Sequence, residues 1–153
     1  LKIHGHAVEV RVYAEDPRNN FLPDIGRLET YVRPQGPGVR VDDGFEQGMD
    51  IPIYYDPMIA KLTVHGKDRA EAIARTKRAI DEYQITGIET TLGFCRFVLS
   101  HPAFVDGTFD TNFVAQHFTP EKLNGESLPE EAEIAALLVS RMMQAKPGKT
   151  NGT

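Results

Sequence analysis

At 153 residues and 41% hydrophobic content the chain can bury a sizeable core, and its length fits one domain with short appendages. A formal charge of -5, from 17 basic and 22 acidic residues, argues against nucleic acid or an anionic membrane as the main partner, since both reward a basic patch. The single cysteine, Cys95, excludes an internal disulfide and fits a reducing, cytoplasmic compartment.

The opening Leu1-Lys2-Ile3-His4 is not a secretory signal, and no apolar run reaches membrane-spanning length. A start on Leu1, with a strand close behind it, reads as a piece cut from something longer. From His6 to Tyr13 the apolar Val8, Val10 and Val12 alternate with Glu9, Arg11 and Tyr13, the period of a half-buried strand. The run from Glu15 to Asn20 ends it with turn chemistry. Gly26 to Arg33 and Val39 to Val41 read as further short strands on either side of a turn from Pro34 to Gly38. Met58 to Val64 is another, with Met58, Ala60, Leu62 and Val64 on one side and Lys61, Thr63 and His65 on the other.

The pattern then changes to helix. Asp68 and Glu71 form a capping pair ahead of a stripe of Ala70, Ile73, Ala74, Lys77, Ile80 and Tyr83. Gly87-Ile88-Glu89 gives a short return, and Thr90 or Thr91 caps a second helix carrying Leu92, Cys95, Phe97, Val98 and Leu99, closed by His101-Pro102. A short helix from Thr111 to Phe118 follows an Asp/Thr cap signal. Residues 1–118 are therefore expected to form the domain and 119–129 a linker. An amphipathic helix over 130–144 with Ile134, Leu137, Leu138 and Met142 on one side follows, then a disordered tail over 145–153. The expected class is α+β: short antiparallel strands in a partly open barrel or sandwich, packed with two or three helices.

Arg40 stands directly behind Gly36-Pro37-Gly38-Val39, a turn whose two glycines and proline fix the backbone path and so aim the side chain. An aimed guanidinium suits a planar anion, because its rigid fork matches carboxylate, bicarbonate or phosphate oxygens. The alternative for Arg40 is a stem laid over apolar surface or a surface ion pair. The run Tyr54-Tyr55-Asp56-Pro57-Met58 admits two readings as well, a strand entry with an Asp turning the chain or part of a site.

Other chemistry fails on inspection. His4 and His6 with Glu9 lack a second His/Cys pair to complete a tetrahedral set, so no metal site is expected. His65, His101 and His117 are scattered, and Cys95 sits among Phe94, Phe97, Val98 and Leu99 as a small apolar residue. A phosphate-cradling glycine loop followed by Lys and Ser/Thr is missing, as is a carboxylate cluster with metal spacing.

The segments His4 to Pro17, Phe21 to Leu28, Gly36 to Arg40 and Tyr54 to Met58, continued by Gly66 to Arg69, Gly87 to Thr90 and Gly107 to Thr111, closely resemble the C-terminal domain of biotin carboxylase. That enzyme is the ATP-dependent component of acetyl-CoA, propionyl-CoA and pyruvate carboxylases. The resemblance implies that ATP and its Mg or Mn ions are held by an upstream ATP-grasp core, together with the catalytic base. It also implies that Arg40 is an active-site arginine facing biotin and bicarbonate, with Tyr55 and Asp56 holding it in place. In the family's reaction ATP converts bicarbonate to carboxyphosphate, and the deprotonated ureido nitrogen of biotin attacks the carbon dioxide released from it. Negative charge collects on bicarbonate and then on the ureido oxygen, and a fixed arginine would stabilise both. Arg69 matches a position used in the family's homodimer interface, the alternative being an ordinary first-turn charge. Implied partners are the upstream core, a biotin carboxyl carrier domain and a carboxyltransferase component. A second function remains open, a docking or dimerisation module of the same assembly without a catalytic part. The carrier itself is a weak third reading, since no Met-Lys-Met acceptor occurs and Lys61 lies in Ala60-Lys61-Leu62.

Overall fold

Alternation of Val8, Val10 and Val12 with charged neighbours gives the first strand, β1 (His6–Tyr13), one apolar face, and along its edge it pairs with the longest strand, β6 (Met58–Gly66). A computed structural model describes residues 2–52 and 56–123, all within one unit, Leu1–Leu123. β1 runs antiparallel to β6 with Val8 opposite Val64 and Val10 opposite Leu62. On the other side of β6 lies β5 (Val39–Asp43), with Val41 opposite Leu62 and Arg40 opposite Thr63, so the sheet order is β1-β6-β5.

The first helix, α1 (Arg69–Glu82), covers the apolar face of this sheet and buries Ala72, Ile73, Thr76, Ala79 and Ile80. Leu62, Val64 and Val12 beneath it are fully buried. Each such aliphatic side chain contributes roughly 2 kcal/mol by leaving water. The cap is as expected at Asp68, whose carboxylate accepts from the Glu71 amide at 2.9 Å. Glu71 Oε2 in turn accepts from the Lys67 amide at 2.5 Å. The expected stripe, however, is rotated. Ala70 and Ala74 are exposed, while Ala72, Thr76 and Ala79 face the sheet, with the Thr76 hydroxyl donating to the Ala72 carbonyl at 2.7 Å. Small residues let α1 lie close on β6; a Cβ added to Gly66 would stand 2.9 Å from the Ala72 Cα.

β6 is not strictly alternating. Its register slips where Val12 faces Ala60 but Tyr13 faces Met58, so Ile59 is extra and is buried together with Ala60, while Met58 is only half-buried. The remaining strands form two short ribbons, β2 (Glu15–Asp16) with β3 (Leu22–Pro23), and β4 (Thr30–Val32) with β7 (Gln84–Thr86). β4 is shorter than the strand expected over Gly26 to Arg33, and β7, three residues directly after α1, was not foreseen. The Tyr31 and Tyr83 hydroxyls, 2.6 Å apart, tie β4 to the end of α1, and Tyr31 also donates to Asp43 at 3.1 Å. Burial, assisted by the partner hydroxyl, raises the Tyr31 pKa, and burial pushes Tyr83 up to about 12.

Of the two threonines expected to cap the second helix, α2 (Leu92–Ser100), Thr90 accepts from the Leu92 amide at 3.4 Å, while Thr91 makes no side-chain cap bond. Instead the Thr91 hydroxyl accepts from the Tyr13 amide at 3.0 Å and donates to the Arg11 carbonyl at 3.2 Å, fastening α2 to the edge of β1. His101-Pro102 ends α2 and also opens a further turn, α3 (Pro102–Val105), before α4 (Phe113–His117). Pro120–Leu123, expected in the linker, form a 3-10 turn packed on α2. The class is the expected α+β one, with short antiparallel strands in open sheets covered by helices. Among the described residues no helix is long and apolar enough to cross a membrane. The helix expected over 130–144 and the tail over 145–153 lie outside the described residues.

Candidate functional site

Pro37 and Gly38 occupy the centre of the turn before Arg40, with Gly38 at φ 77° and the Val39 amide donating to the Gly36 carbonyl at 3.1 Å, the pattern of a type II turn. The turn is seated on β6, where the His65 amide donates to the Gly38 carbonyl at 2.8 Å. A Cβ at Gly38 would lie 2.5 Å from the His65 carbonyl oxygen. Gly38→Val is therefore expected to cost about 2 kcal/mol through the left-handed backbone and the contact together, read as a fall in the urea midpoint. An unchanged midpoint would mean that the turn is not held in this form.

Arg40 follows on β5 with its side chain on the face opposite the half-buried Val39 and Val41. Its side chain is 76% exposed, and Nε reaches Asp42 Oδ2 at 2.8 Å while Nη2 reaches Oδ1 at 2.9 Å. The hydrogen bonds, and then the charge of Asp42, raise the Arg40 pKa further above its ordinary value. The surface ion pair left open by the sequence is thus present, made by a residue that sequence reasoning had not singled out. Its signal was the two-residue spacing, which puts Arg40 and Asp42 on one face.

Register places two rows across that face: Glu9, Thr63 and Arg40, then Arg11, Lys61 and Asp42. Arg11 Nε meets Glu9 Oε1 at 3.2 Å. The surface is a mosaic of cations and carboxylates borne by a rigid sheet. Two of the concavities among the described residues lie elsewhere, and neither includes Arg40. One, of about 510 Å³, runs between Asp16–Arg18 and Ile85–Thr90. The other, about 340 Å³ and apolar, lies between β1 and α2.

Asp56 is not brought to Arg40. Its Oδ1 accepts from the Met58 amide at 3.1 Å and starts β6, whereas Arg40 faces Thr63 seven residues further on, roughly 20 Å at the rise of a strand. Asp56 instead neighbours Glu15, whose pKa rises through burial first and the Asp56 charge second. Tyr55 lies outside the described residues.

Arg69, the first residue of α1, turns back within the chain. It donates to the Phe104 carbonyl and, at 3.2 Å, to the Val105 carbonyl, so it satisfies the end of α3. Its guanidinium lies 4.9 Å from the centre of the Phe104 ring, and Nη1 stands 3.2 Å from His6 Nε2. His6 and Glu9 are thus engaged by Arg69 and Arg11, and among the described residues no group of three or more His, Cys, Asp or Glu is placed to hold a metal. Burial pushes the Cys95 thiol up to about 11, which suits packing and not a nucleophile.

Residues 9–116 match the family described as biotin carboxylase C-terminal domain. The chain is 49% identical to biotin carboxylase 1 of Bacillus subtilis over 114 residues, 74% of this chain and 25% of that protein. It is 44% identical to the mitochondrial propionyl-CoA carboxylase alpha chain of Sus scrofa over 142 residues, 92% of this chain and 19% of that one. Among solved structures, the biotin carboxylase domain dimer of the Hydrogenobacter thermophilus 2-oxoglutarate carboxylase, in complex with MgADP, ADP and bicarbonate, superposes with a TM-score of 0.75 at 36% identity, covering 76% of this chain and 26% of that one. The chain thus spans about a quarter or less of the length of these relatives. A family match over residues 9–116, joined by a fold likeness that covers 76% of the chain, places it in one family: it belongs to the biotin carboxylase C-terminal domains.

Proposed function

We infer that this chain is the C-terminal part of an ATP-dependent biotin carboxylase, and that its outer sheet face closes the site where biotin is carboxylated from bicarbonate for transfer to an acyl-CoA or pyruvate. One observation carries this reading: Arg40 stands directly behind a built turn, on an open sheet face where its side chain is largely exposed. Such an arginine makes chemical sense as one wall of a cleft whose other wall is supplied by a second piece of protein. There the guanidinium meets bicarbonate and then the ureido oxygen of biotin, and its fixed charge favours the state in which negative charge has developed. ATP and Mg or Mn belong to the upstream ATP-grasp core. Biotin arrives on a carrier domain, and a carboxyltransferase component takes up the product.

The dimer described for the Hydrogenobacter thermophilus domain supports a homodimer here. Since Arg69 is engaged with α3, it would shape that interface through the α3 end as much as by direct contact. A cytoplasmic setting accords with the single, packed cysteine.

The reading is tested by titrating the isolated chain with MgATP in a calorimeter. No binding is expected, because catalysis by positioning needs groups this chain lacks, and addition of the ATP-grasp core should restore nucleotide binding. Tight nucleotide binding by the chain alone would place the site within it and overturn the assignment.

A further inference from the structure

We propose that Asp42 is the positioning residue for Arg40, holding its guanidinium so that one edge stays open to the reacting anion; this rests on the reading of Arg40 given above. A guanidinium has five N–H donors, one on Nε and two on each Nη. Asp42 takes the Nε side, with Nε at 2.8 and 3.1 Å from its two oxygens and Nη2 at 2.9 Å from Oδ1. Both Nη1 hydrogens and the second Nη2 hydrogen remain, and they form the end-on fork that fits two oxygens of a planar anion. An arginine whose side chain is 76% exposed has few packing contacts to fix it, so without Asp42 it would sample many rotamers. Asp42 is itself fixed by the sheet, as it lies two residues along β5 on the same face and faces Lys61 of β6. The carboxylate therefore pre-arranges the donor edge before the anion arrives.

The carboxylate also lowers the net charge facing the anion. Its removal is accordingly expected to disturb kcat, which needs the aligned donors, more than the KM for bicarbonate, which a bare cation still serves. The test is a double-mutant cycle in the intact carboxylase with Asp42→Ala, Arg40→Gln and the pair. Asp42→Ala should lower kcat about tenfold with the ATP KM and thermal midpoint unchanged, and Asp42→Glu should restore most of the loss. In the Arg40→Gln background, Asp42→Ala should have no further effect, because Asp42 acts through the arginine. Full activity in Asp42→Ala, or a loss that multiplies undiminished onto that of Arg40→Gln, would overturn the role of Asp42 while leaving Arg40 in place. Full activity in Arg40→Gln itself would instead remove the reading on which this one stands.

Discussion

Replacing Arg40 with Gln in the intact carboxylase is expected to lower biotin-dependent carboxylation by about a hundred-fold, the loss typical of a removed oxyanion donor. Gln keeps part of the stem but offers one amide in place of a charged fork, and the difference is felt most where negative charge has accumulated. ATP affinity should be nearly unchanged, since the nucleotide is held by the upstream core. Folding should survive as well, because the side chain is 76% exposed and its ion pair with Asp42 lies on the surface. Steady-state carboxylation beside ATP affinity and thermal midpoint tests all three expectations. Near-normal carboxylation, or a loss that only follows a collapsed midpoint, would leave Arg40 as a surface residue and favour the docking-module reading of this segment.

The turn before Arg40 was legible in the sequence because glycine and proline report backbone conformation directly: Gly38 does have positive φ, and β5 starts at Val39 directly behind it. The period of two in β1 was likewise legible, down to its bounds at His6 and Tyr13. What escaped were features that depend on partners distant in sequence. β7 has three residues and is a strand only because β4 pairs with it. Ile59 is buried because β1 slips by one residue opposite it. Of the two candidate caps, Thr91 serves β1 instead of α2, since its hydroxyl accepts from the Tyr13 amide and donates to the Arg11 carbonyl. The α1 stripe was misjudged because alanine counts as apolar on either face; closeness to Gly66 selects Ala72, and Ala74 is left to solvent. At the candidate site, family likeness pointed to Asp56 as the support of Arg40, yet strand register puts Asp42 beside it. That contact is local and was available from spacing alone.

Leu62→Ala is expected to cost about 3 kcal/mol, the usual range for a buried leucine that leaves a cavity. Leu62 is fully buried at the centre of β6, between Val10 on β1 and Val41 on β5, and α1 closes over it. No neighbour can easily collapse into the space, because strands on both sides and the helix above are already fixed by their own packing. Against a total stability of roughly 5 to 15 kcal/mol, such a loss should bring a large drop in the urea midpoint of the chain. Lys61, the preceding residue, points to the opposite face, so Lys61→Ala should cost under about 1 kcal/mol. Equal effects of the two changes would show that the faces of the sheet have been assigned wrongly. The comparison also bears on function. Arg40 faces Thr63, the next residue along β6, so the core under Leu62 is the platform on which the arginine stands. In the intact enzyme, Leu62→Ala should therefore lose activity in proportion to its loss of stability, while Arg40→Gln should lose activity with stability kept. Two such different couplings, one residue apart across the same ladder, would separate what the sheet does as a scaffold from what its outer face does as chemistry.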